Sequence, residues 1–432
     1  MHITNKDHLG YYRVGDDYKT YSKIEALEYS YRVGRPVKWI YNEHINRRHP
    51  WHINTLKDIR QLYKERAEQL REKYDYLIIL YSGGADSFTV MKSFFDNNIH
   101  VDEVVNLNTL AGEKSWDTVH NKEVEEVAIP KTKEFLKGKV GIRHTILDLT
   151  EIIETIYKKD NNTSDFLYNC NNCFGPHMLA RSYFKDVPHW KKLIEQGKTV
   201  CWISGHDRPP LAYDRENDKY FLQYTDTVDH GAAGPLHQRR NIREENFEPF
   251  YWSPDAVDLQ TRQCHILIDY LRNPPPGDLN SIYLSSDPYQ YLWDYTGQKR
   301  LFWKPRTSTL INGVTYYLNN EGINRLIYPD WQEDTFTVGK NYGFMISVKD
   351  RWWWMNHDDH AQKMVAGGLT SIYQKFTDHG FKWFRKDRKD LNLDIKHMRM
   401  DTYYSQRYYL EPLTGNVGDI VHTVSRRYPG NG

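Results

Sequence analysis

Residues 76–87 read YLIILYSGGADS, a run of six apolar or aromatic residues followed by a turn with two glycines. The residues that come next, FTVMKSFF at 88–95, have the composition of a helix. A strand, a glycine turn and a helix in this order suit the binding of an anion, because glycine permits positive φ and the N–H groups of such a turn converge. The start of the helix adds partial positive charge. The stretch therefore predicts a buried parallel strand that ends in a phosphate-binding loop.

The side chains of this loop fit the same interpretation. Ser82 and Ser87 carry hydroxyl groups that can donate to phosphate oxygens. Asp86 supplies a carboxylate, which is a ligand that Mg²⁺ accepts. A Walker A loop would need Gly-Lys-Ser/Thr, and a dinucleotide fold would need Gly-x-Gly-x-x-Gly, and neither follows the strand. The predicted ligand-contacting residues of the loop are Ser82, Gly83, Gly84, Ala85, Asp86 and Ser87.

Further strands are predicted after the loop, each separated from the next by a segment of helical character. They are Glu103–Asn108, Arg143–Asp148 and Thr199–Ser204. Strands that alternate with helices predict a parallel sheet with right-handed crossovers. Ligands bind such sheets at the carboxyl ends of the strands. We therefore expect the loop to converge with Gly205 and Asp207, which follow the last of these strands.

The patterns together predict an α/β fold, a Rossmann-like parallel sheet with flanking helices. We divide the chain into an N-terminal cap at 1–52, a nucleotide-binding domain at 53–273 and a C-terminal region at 274–432. The C-terminal region is expected to be mixed, mainly helical and rich in aromatic residues.

Local signals place several other elements. Asn54 is the predicted N-cap of a helix that runs to Tyr74, and a charged helix over 117–136 is expected to be interrupted at Pro130. Ser253 is expected to begin a helix that runs to about Leu271. The remaining expectations are helical character around 23–29, a strand at 219–226, and a turn at Asn312 and Gly313.

The composition bounds the possible partners. The 432 residues include 58 Lys and Arg against 57 Asp and Glu, so binding of a nucleic acid would need a local basic patch. The 33 tyrosines and 13 tryptophans indicate aromatic-rich surfaces or grooves. No stretch approaches the ~18 uninterrupted apolar residues of a membrane-spanning helix, and the first residues lack the apolar segment of a signal peptide. We expect a cytoplasmic protein with no membrane partner.

The four cysteines leave several interpretations open. Cys170 and Cys173 form a Cys-x-x-Cys pair, which can be redox-active, metal-binding or inert. Cys201 falls inside a predicted strand and Cys264 inside the helix after Ser253, where a thiol usually serves as a small apolar group. We therefore expect Cys170 and Cys173 to bind no iron–sulfur cluster, and a disulfide framework is not expected.

The hexapeptide at 82–87 resembles the PP-loop of the ATP pyrophosphatase superfamily, whose pattern is Ser-Gly-Gly-x-Asp-Ser. The resemblance implies a HUP-type nucleotide-binding domain, ATP and Mg²⁺ as cofactors, and cleavage of ATP between its α- and β-phosphates. A Gly-x-Asp turn faces the same nucleotide in asparagine synthetase-like members, which implies a backbone approach at Gly205 and a second metal ligand at Asp207. By the same resemblance, Asn108 contacts adenine or ribose. Asp86 and Asp207 are then the expected catalytic and magnesium-binding pair.

The segments 70–76 and 250–255 also resemble tailed-phage proteins described as asparagine synthetase-like or phosphoadenosine-phosphosulfate-reductase-like. For a phage-encoded protein, the expected location is the cytoplasm of the host. Two departures from those families matter. His2 stands where a glutaminase would have its Cys nucleophile, and the C-terminus lacks the Cys-Gly-x-His-like ending of the sulfate-reducing branch. Asparagine synthesis and sulfate reduction are therefore not expected.

The function predicted on these grounds is a Mg²⁺-dependent enzyme that adenylates an acceptor and releases pyrophosphate. The acceptor is a nucleobase, a nucleic acid or a small carboxylate, which a nucleophile then attacks. Sulfur transfer to nucleic acid through Cys170 and Cys173 is one alternative, and a nucleotide-binding module that acts through partners is another. The sequence leaves a homo-oligomer open.

Overall fold

The computed structural model describes residues 10–21, 23–108, 123–148, 181–205, 211–224, 247–277, 284–285, 291–293, 299–301, 308–318, 320–330 and 404–412. Its strands are β1 Tyr11–Val14, β2 Tyr18–Thr20, β3 Val37–Ile40, β4 Tyr76–Leu80, β5 Glu103–Asn108, β6 Arg143–Asp148, β7 Val200–Ser204, β8 Leu211–Asp214, β9 Lys219–Leu222, β10 Phe247–Pro249, β11 Leu284–Ser285, β12 Tyr291–Trp293, β13 Lys299–Leu301, β14 Ser308–Ile311, β15 Val314–Leu318 and β16 Tyr408–Tyr409. Its α-helices are α1 Lys23–Val33, α2 Glu43–Asn46, α3 Ile59–Lys73, α4 Ala85–Phe95, α5 Ile129–Leu136, α6 Pro188–Glu195, α7 Val257–Arg272 and α8 Asn320–Ile327. Among these described helices, none has the length and apolar character that crossing a membrane requires.

A parallel sheet of five strands forms the centre of the molecule, in the order β10-β7-β4-β5-β6. The first strand of this sheet along the chain, β4, lies in the middle. Strands β5 and β6 are added on one side of β4, and β7 and β10 are then added on its other side. This reversal creates a switch point between β4 and β7, which is where open α/β sheets bind ligands. The α/β class and the Rossmann-like parallel sheet predicted from the sequence are confirmed.

Helix α3 shows how the apolar pattern selects the packed face. Its buried residues Leu62, Ala67 and Leu70 recur at helical spacing, and the helix packs against α4. The predicted N-cap at Asn54 is wrong. The cap is Asp58, whose carboxylate accepts a hydrogen bond of 2.7 Å from the backbone N–H of Arg60. Leu56, which lies within the predicted helix, is 89% exposed and falls outside the observed one.

The edge strand β10 is held by a buried ionic network. Glu248 accepts hydrogen bonds from Arg66 of α3 at 3.0 Å, from Lys73 at 2.6 Å and from the Tyr74 hydroxyl at 2.6 Å. Because Glu248 and Arg66 are both buried, each charge needs the other to offset its desolvation. The network fixes the end of the sheet from which Tyr251 reaches the glycine loop.

The predictions for the remaining sheet elements were mostly right. Strands β5 and β6 have the predicted bounds, and β7 begins one residue later than predicted. The charged helix changes type next to Pro130. Residues Glu123–Ala128 form a π-helix, and Pro130 lies in the first turn of α5, where proline is tolerated. Strand β10 was not predicted.

The N-terminal residues form a small antiparallel sheet in the order β2-β1-β3. Helix α1, where helical character was expected, packs on one face of it, with the rings of Tyr18 and Tyr29 stacked at 4.0 Å. The unit joins the rest of the molecule through Tyr41, whose hydroxyl donates to the carbonyl of Trp252. The helix was predicted and the sheet was not.

The described part of residues 274–432 contains six strands, β11 to β16, and one α-helix, α8. The expectation of a mainly helical region is therefore wrong for these residues, and the rest of the region lies outside the described part of the chain. The predicted turn is confirmed, because Asn312 and Gly313 adopt φ of 50° and 79° between β14 and β15. Strand β16 pairs with β9 of the predicted nucleotide-binding domain, and Leu410 belongs to the same hydrophobic core as the central sheet.

Candidate nucleotide-binding site

The glycine loop leaves β4 at its carboxyl end and enters α4, as the sequence predicted. Gly83 has φ of +91°, a conformation that residues with a Cβ rarely adopt. Gly84 is the N-cap of α4, and no side chain caps the helix there. The first N–H groups of α4 therefore need another acceptor, and an anion is one.

The two serines of the loop differ in what their hydroxyls do. Ser87 is buried, and its Oγ accepts from the backbone N–H of Ser82 at 3.3 Å and donates to the carbonyl of Gly84 at 3.1 Å. The Oγ atoms of the two serines lie 3.1 Å apart. Ser82 is exposed. Ser87 thus closes the loop on itself, and Ser82 is the serine that can reach a ligand.

Gly205 lies directly against the glycine loop. A Cβ atom built on it would lie 2.7 Å from the Cα of Ser87, 2.9 Å from the backbone nitrogen of Ser87 and 3.1 Å from the carbonyl carbon of Asp86. Real Cβ atoms do not approach backbone this closely, so only glycine fits here. The predicted convergence of the loop with the end of β7 is confirmed for Gly205. Its approach to a nucleotide stays a prediction.

Two buried tyrosines hold Asp86. The hydroxyl of Tyr328 donates to Oδ1 of the carboxylate, and the hydroxyl of Tyr251 donates to the backbone carbonyl of Asp86 at 2.7 Å. Burial raises the pKa of Tyr251 well above its usual value, and the charges of Tyr63 and Asp86 act in the same direction. The Tyr251 hydroxyl therefore stays protonated and remains a donor. Asp86 itself is half-buried.

Sequence reasoning missed both tyrosines. Tyr328 lies 242 positions from Asp86 along the chain, just after α8, in the region assigned to the C-terminal part. Tyr251 lies in a segment that the sequence analysis quoted only for its resemblance. No local pattern connects either residue to the loop, because their positions depend on how α8 and β10 pack.

Asn108 ends β5, the strand beside β4, and is 6% exposed. Its amide nitrogen lies 3.5 Å from a carboxylate oxygen of Glu125, at the limit of a hydrogen bond. Its Oδ1 is buried and has no hydrogen-bond partner among the described residues. A buried acceptor of this kind costs free energy unless a donor reaches it, and the hydroxyl or amino group of a ligand is such a donor.

A second polar chain fixes the backbone just before the loop. The amide of Asn106 donates to the carbonyl of Tyr81 at 2.9 Å, so its Oδ1 faces His144, whose Nε2 lies 2.7 Å away and donates. Burial lowers the pKa of His144, and the charge of Lys133 lowers it further. The neutral imidazole with its hydrogen on Nε2 suits this arrangement. The sequence analysis did not single out these residues.

Other predicted residues lie outside the described part of the chain. Asp207 is one of them, so its pairing with Asp86 around Mg²⁺ stays a prediction, and Cys170 and Cys173 are two more. Cys201 and Cys264 are buried in β7 and α7 as predicted, and burial raises the pKa of both thiols. Within the described ranges, no group of three or more His, Cys, Asp or Glu side chains has the arrangement of a metal site.

Comparison with protein-family models and with curated proteins finds no match to this chain. The interpretation of the site therefore depends on its residues and their geometry.

Proposed function

We propose that this chain is a PP-loop ATP pyrophosphatase, which binds ATP with Mg²⁺ and adenylates an acceptor. The observation that carries the proposal is the position of the Ser-Gly-Gly-x-Asp-Ser loop. It follows the central strand β4 and lies against Gly205 at the end of β7, so it borders the switch point of the sheet. Sequence pattern and topology thus indicate the same place independently.

The residues present fit a nucleoside triphosphate. The uncapped start of α4 and the positive φ of Gly83 suit a phosphate chain, and the exposed hydroxyl of Ser82 adds a donor. The unpartnered Oδ1 of Asn108, at the end of the neighbouring strand, suits a donor on the nucleoside. These groups support an orientation of the nucleotide in which the triphosphate lies at the carboxyl end of β4 and the nucleoside lies at the carboxyl end of β5.

In the proposed reaction, an oxygen of the acceptor attacks the α-phosphorus of ATP. The bond between the α-phosphorus and the bridging oxygen breaks, and pyrophosphate leaves with the electron pair. Magnesium, when bound, supplies positive charge next to the phosphates, and Asp86 with Asp207 would hold it. The loop N–H groups orient the phosphate chain, and Tyr251 and Tyr328 keep Asp86 in one position.

The acceptor classes remain those named from the sequence, a nucleobase, a nucleic acid or a small carboxylate. No observation among the described residues favours sulfur transfer through Cys170 and Cys173 over adenylation.

The test compares Asp86→Ala with Asp96→Ala, two carboxylates at opposite ends of α4. Asp96 ion-pairs with Lys92 at the far end of the helix, so its loss controls for a general effect on α4. ATP binding is measured by calorimetry with and without Mg²⁺, and the products of turnover are identified by mass spectrometry. Asp86→Ala is expected to lose the Mg²⁺-dependent part of ATP affinity and at least about 100-fold in turnover, while Asp96→Ala behaves as the wild type.

The products decide the class of enzyme. AMP, or an adenylated acceptor, together with pyrophosphate supports the proposal. ADP with inorganic phosphate would contradict it, and so would unchanged Mg²⁺-dependent binding and turnover in Asp86→Ala.

A further inference from the structure

The N-terminal sheet carries a row of three cationic residues on one face. Arg13 of the middle strand β1 lies directly opposite Lys19 of β2 and Lys38 of β3 in the strand register. Because neighbouring strands lie about 4.8 Å apart, the three positions span only about 10 Å. We call Lys19, Arg13 and Lys38 the basic row.

The basic row lies on the outer face of this sheet. Side chains alternate between the faces along each strand, and Tyr12, Val14 and Trp39 on the opposite face are buried. Helix α1 packs on that buried face. On the outer face Lys19 is exposed, and Arg13 and Lys38 are half-buried.

Two acidic residues of the unit are engaged away from Arg13 and Lys38. Asp17 pairs with Arg35 at 3.1 Å, at the turn between β1 and β2. Glu25 accepts a hydrogen bond of 2.5 Å from Thr20, on the buried face. Within the described residues, Arg13 and Lys38 form no ion pair, and the Nε of Arg13 is buried without a hydrogen-bond partner. Like charges in directly opposed positions destabilise a sheet, and a bound anion relieves that repulsion.

Two tyrosines flank the row. The Nζ of Lys19 lies 4.3 Å from the ring centroid of Tyr11 and 5.5 Å from that of Tyr21. Tyr11 shares the outer face and is half-buried. Closely spaced cations beside aromatic rings suit a ligand with both phosphates and unpaired bases. The net charge of +1 shows that this basic character is local.

We propose that this face, formed by the basic row with Tyr11 and Tyr21, binds single-stranded nucleic acid. Phosphates lie on Lys19, Arg13 and Lys38, and a base stacks beside Tyr11. An acidic protein segment would satisfy the cations and would make no use of the rings. The proposal goes beyond the ATP site and does not depend on it.

The test uses the full chain and a fluorescein-labelled oligo(dT) strand, with fluorescence anisotropy at several salt concentrations. Arg13→Gln/Lys38→Gln is expected to bind about tenfold more weakly and to lower the slope of log K against log salt by about 1.4, which is two phosphate contacts at about 0.7 each. The matched control, Lys191→Gln/Lys192→Gln, removes the same charge from exposed lysines on α6 and is expected to bind as the wild type. Tyr11→Leu is expected to weaken binding about fivefold without changing the salt slope.

Further measurements keep the outcome clear. Arg13→Lys/Lys38→Arg preserves the charges and is expected to retain binding of the oligonucleotide. The ATP affinity is expected to be unchanged in every variant. This second measurement separates the result from any failure of the ATP proposal. Equal affinity of the glutamine double variant and its control would overturn the proposal. A poly-glutamate peptide that binds as tightly as oligo(dT) and competes with it would also overturn it, because the face would then be a site for an acidic protein.

Discussion

Two carboxylates at opposite ends of the parallel sheet have different surroundings. Glu103 begins β5 and is fully buried. It accepts hydrogen bonds from the indole of Trp190 at 2.9 Å, the hydroxyl of Tyr76 at 3.0 Å and the hydroxyl of Thr145. Asp86 lies beyond the carboxyl end of β4, in the first turn of α4, and is half-buried.

The difference shows that burial of a carboxylate does not by itself indicate a ligand site. Glu103 is surrounded by donors that the protein supplies, so its charge stabilises the junction of β5, β6 and α6. Asp86 lies in the first turn of α4, at the edge of the sheet where open α/β sheets bind ligands. We infer that Glu103 serves the fold and that Asp86 serves the site.

The largest effect is expected for Glu103→Ala, which tests the structural half of this comparison. The change leaves the buried indole N–H of Trp190 and the hydroxyl of Thr145 without their acceptor, and an unsatisfied buried donor costs about 1–3 kcal/mol. The free energy of unfolding should fall by about 3 kcal/mol or more, measured by urea denaturation. Glu103→Gln keeps an acceptor oxygen and the side-chain shape, so it should lose less. A loss below about 1 kcal/mol in Glu103→Ala would contradict the structural role.

A smaller effect is expected for Gly205→Ala, which tests whether the end of β7 and the glycine loop must pack closely against each other. The added Cβ meets the backbone of Ser87 at 2.7 Å and forces the loops apart. Such overpacking costs about 1–3 kcal/mol, and ATP affinity should fall with it. In the control, Gly84→Ala, the new Cβ lies 3.7 Å from the nearest atom and φ is −80°, so the cost should stay below about 1 kcal/mol. Equal losses of thermal stability in the two variants would contradict a requirement for close packing at Gly205.

The parts of the fold that the sequence predicted are those with local signals. The apolar run of β4 and the glycines after it lie next to each other in the chain, so they indicated a strand and a loop together. The bounds of β5 and β6 were also right. Strand β10 has only three residues, which are too few to show the alternation of apolar and polar residues that identifies a strand. The N-cap prediction failed because Asn54 and Asp58 are both good cap residues, and packing of the helix decided between them.

The residues of the candidate site also divide into those with a local sequence signal and those without one. Ser82, Asp86 and Gly205 were predicted because each belongs to a short motif after a strand. Tyr251 and Tyr328 reach Asp86 only through the packing of β10 and α8, and such long-range contacts leave no pattern in the neighbouring residues. Local chemistry therefore predicted the loop, and the tertiary fold supplied the groups that hold it.

The smallest effect is expected for Tyr328→Phe, which tests whether Asp86 depends on a residue from the C-terminal part of the chain. The ring of Tyr328 stays packed, and only the donor to the Asp86 carboxylate is lost. A hydrogen bond to a charged group contributes about 1.5 kcal/mol, so Mg²⁺-dependent ATP affinity or turnover should fall about tenfold.

The control for that prediction is Tyr251→Phe, which removes a hydroxyl of the same cluster. Tyr251 donates to the backbone carbonyl of Asp86 and not to its carboxylate, so this variant should lose a similar amount of stability with a smaller change in Mg²⁺ dependence. The measurement is the Mg²⁺ concentration that gives half-maximal ATP binding. If both variants shift it equally, the Tyr328 hydroxyl does not position the carboxylate, and Asp86 is held by its backbone alone.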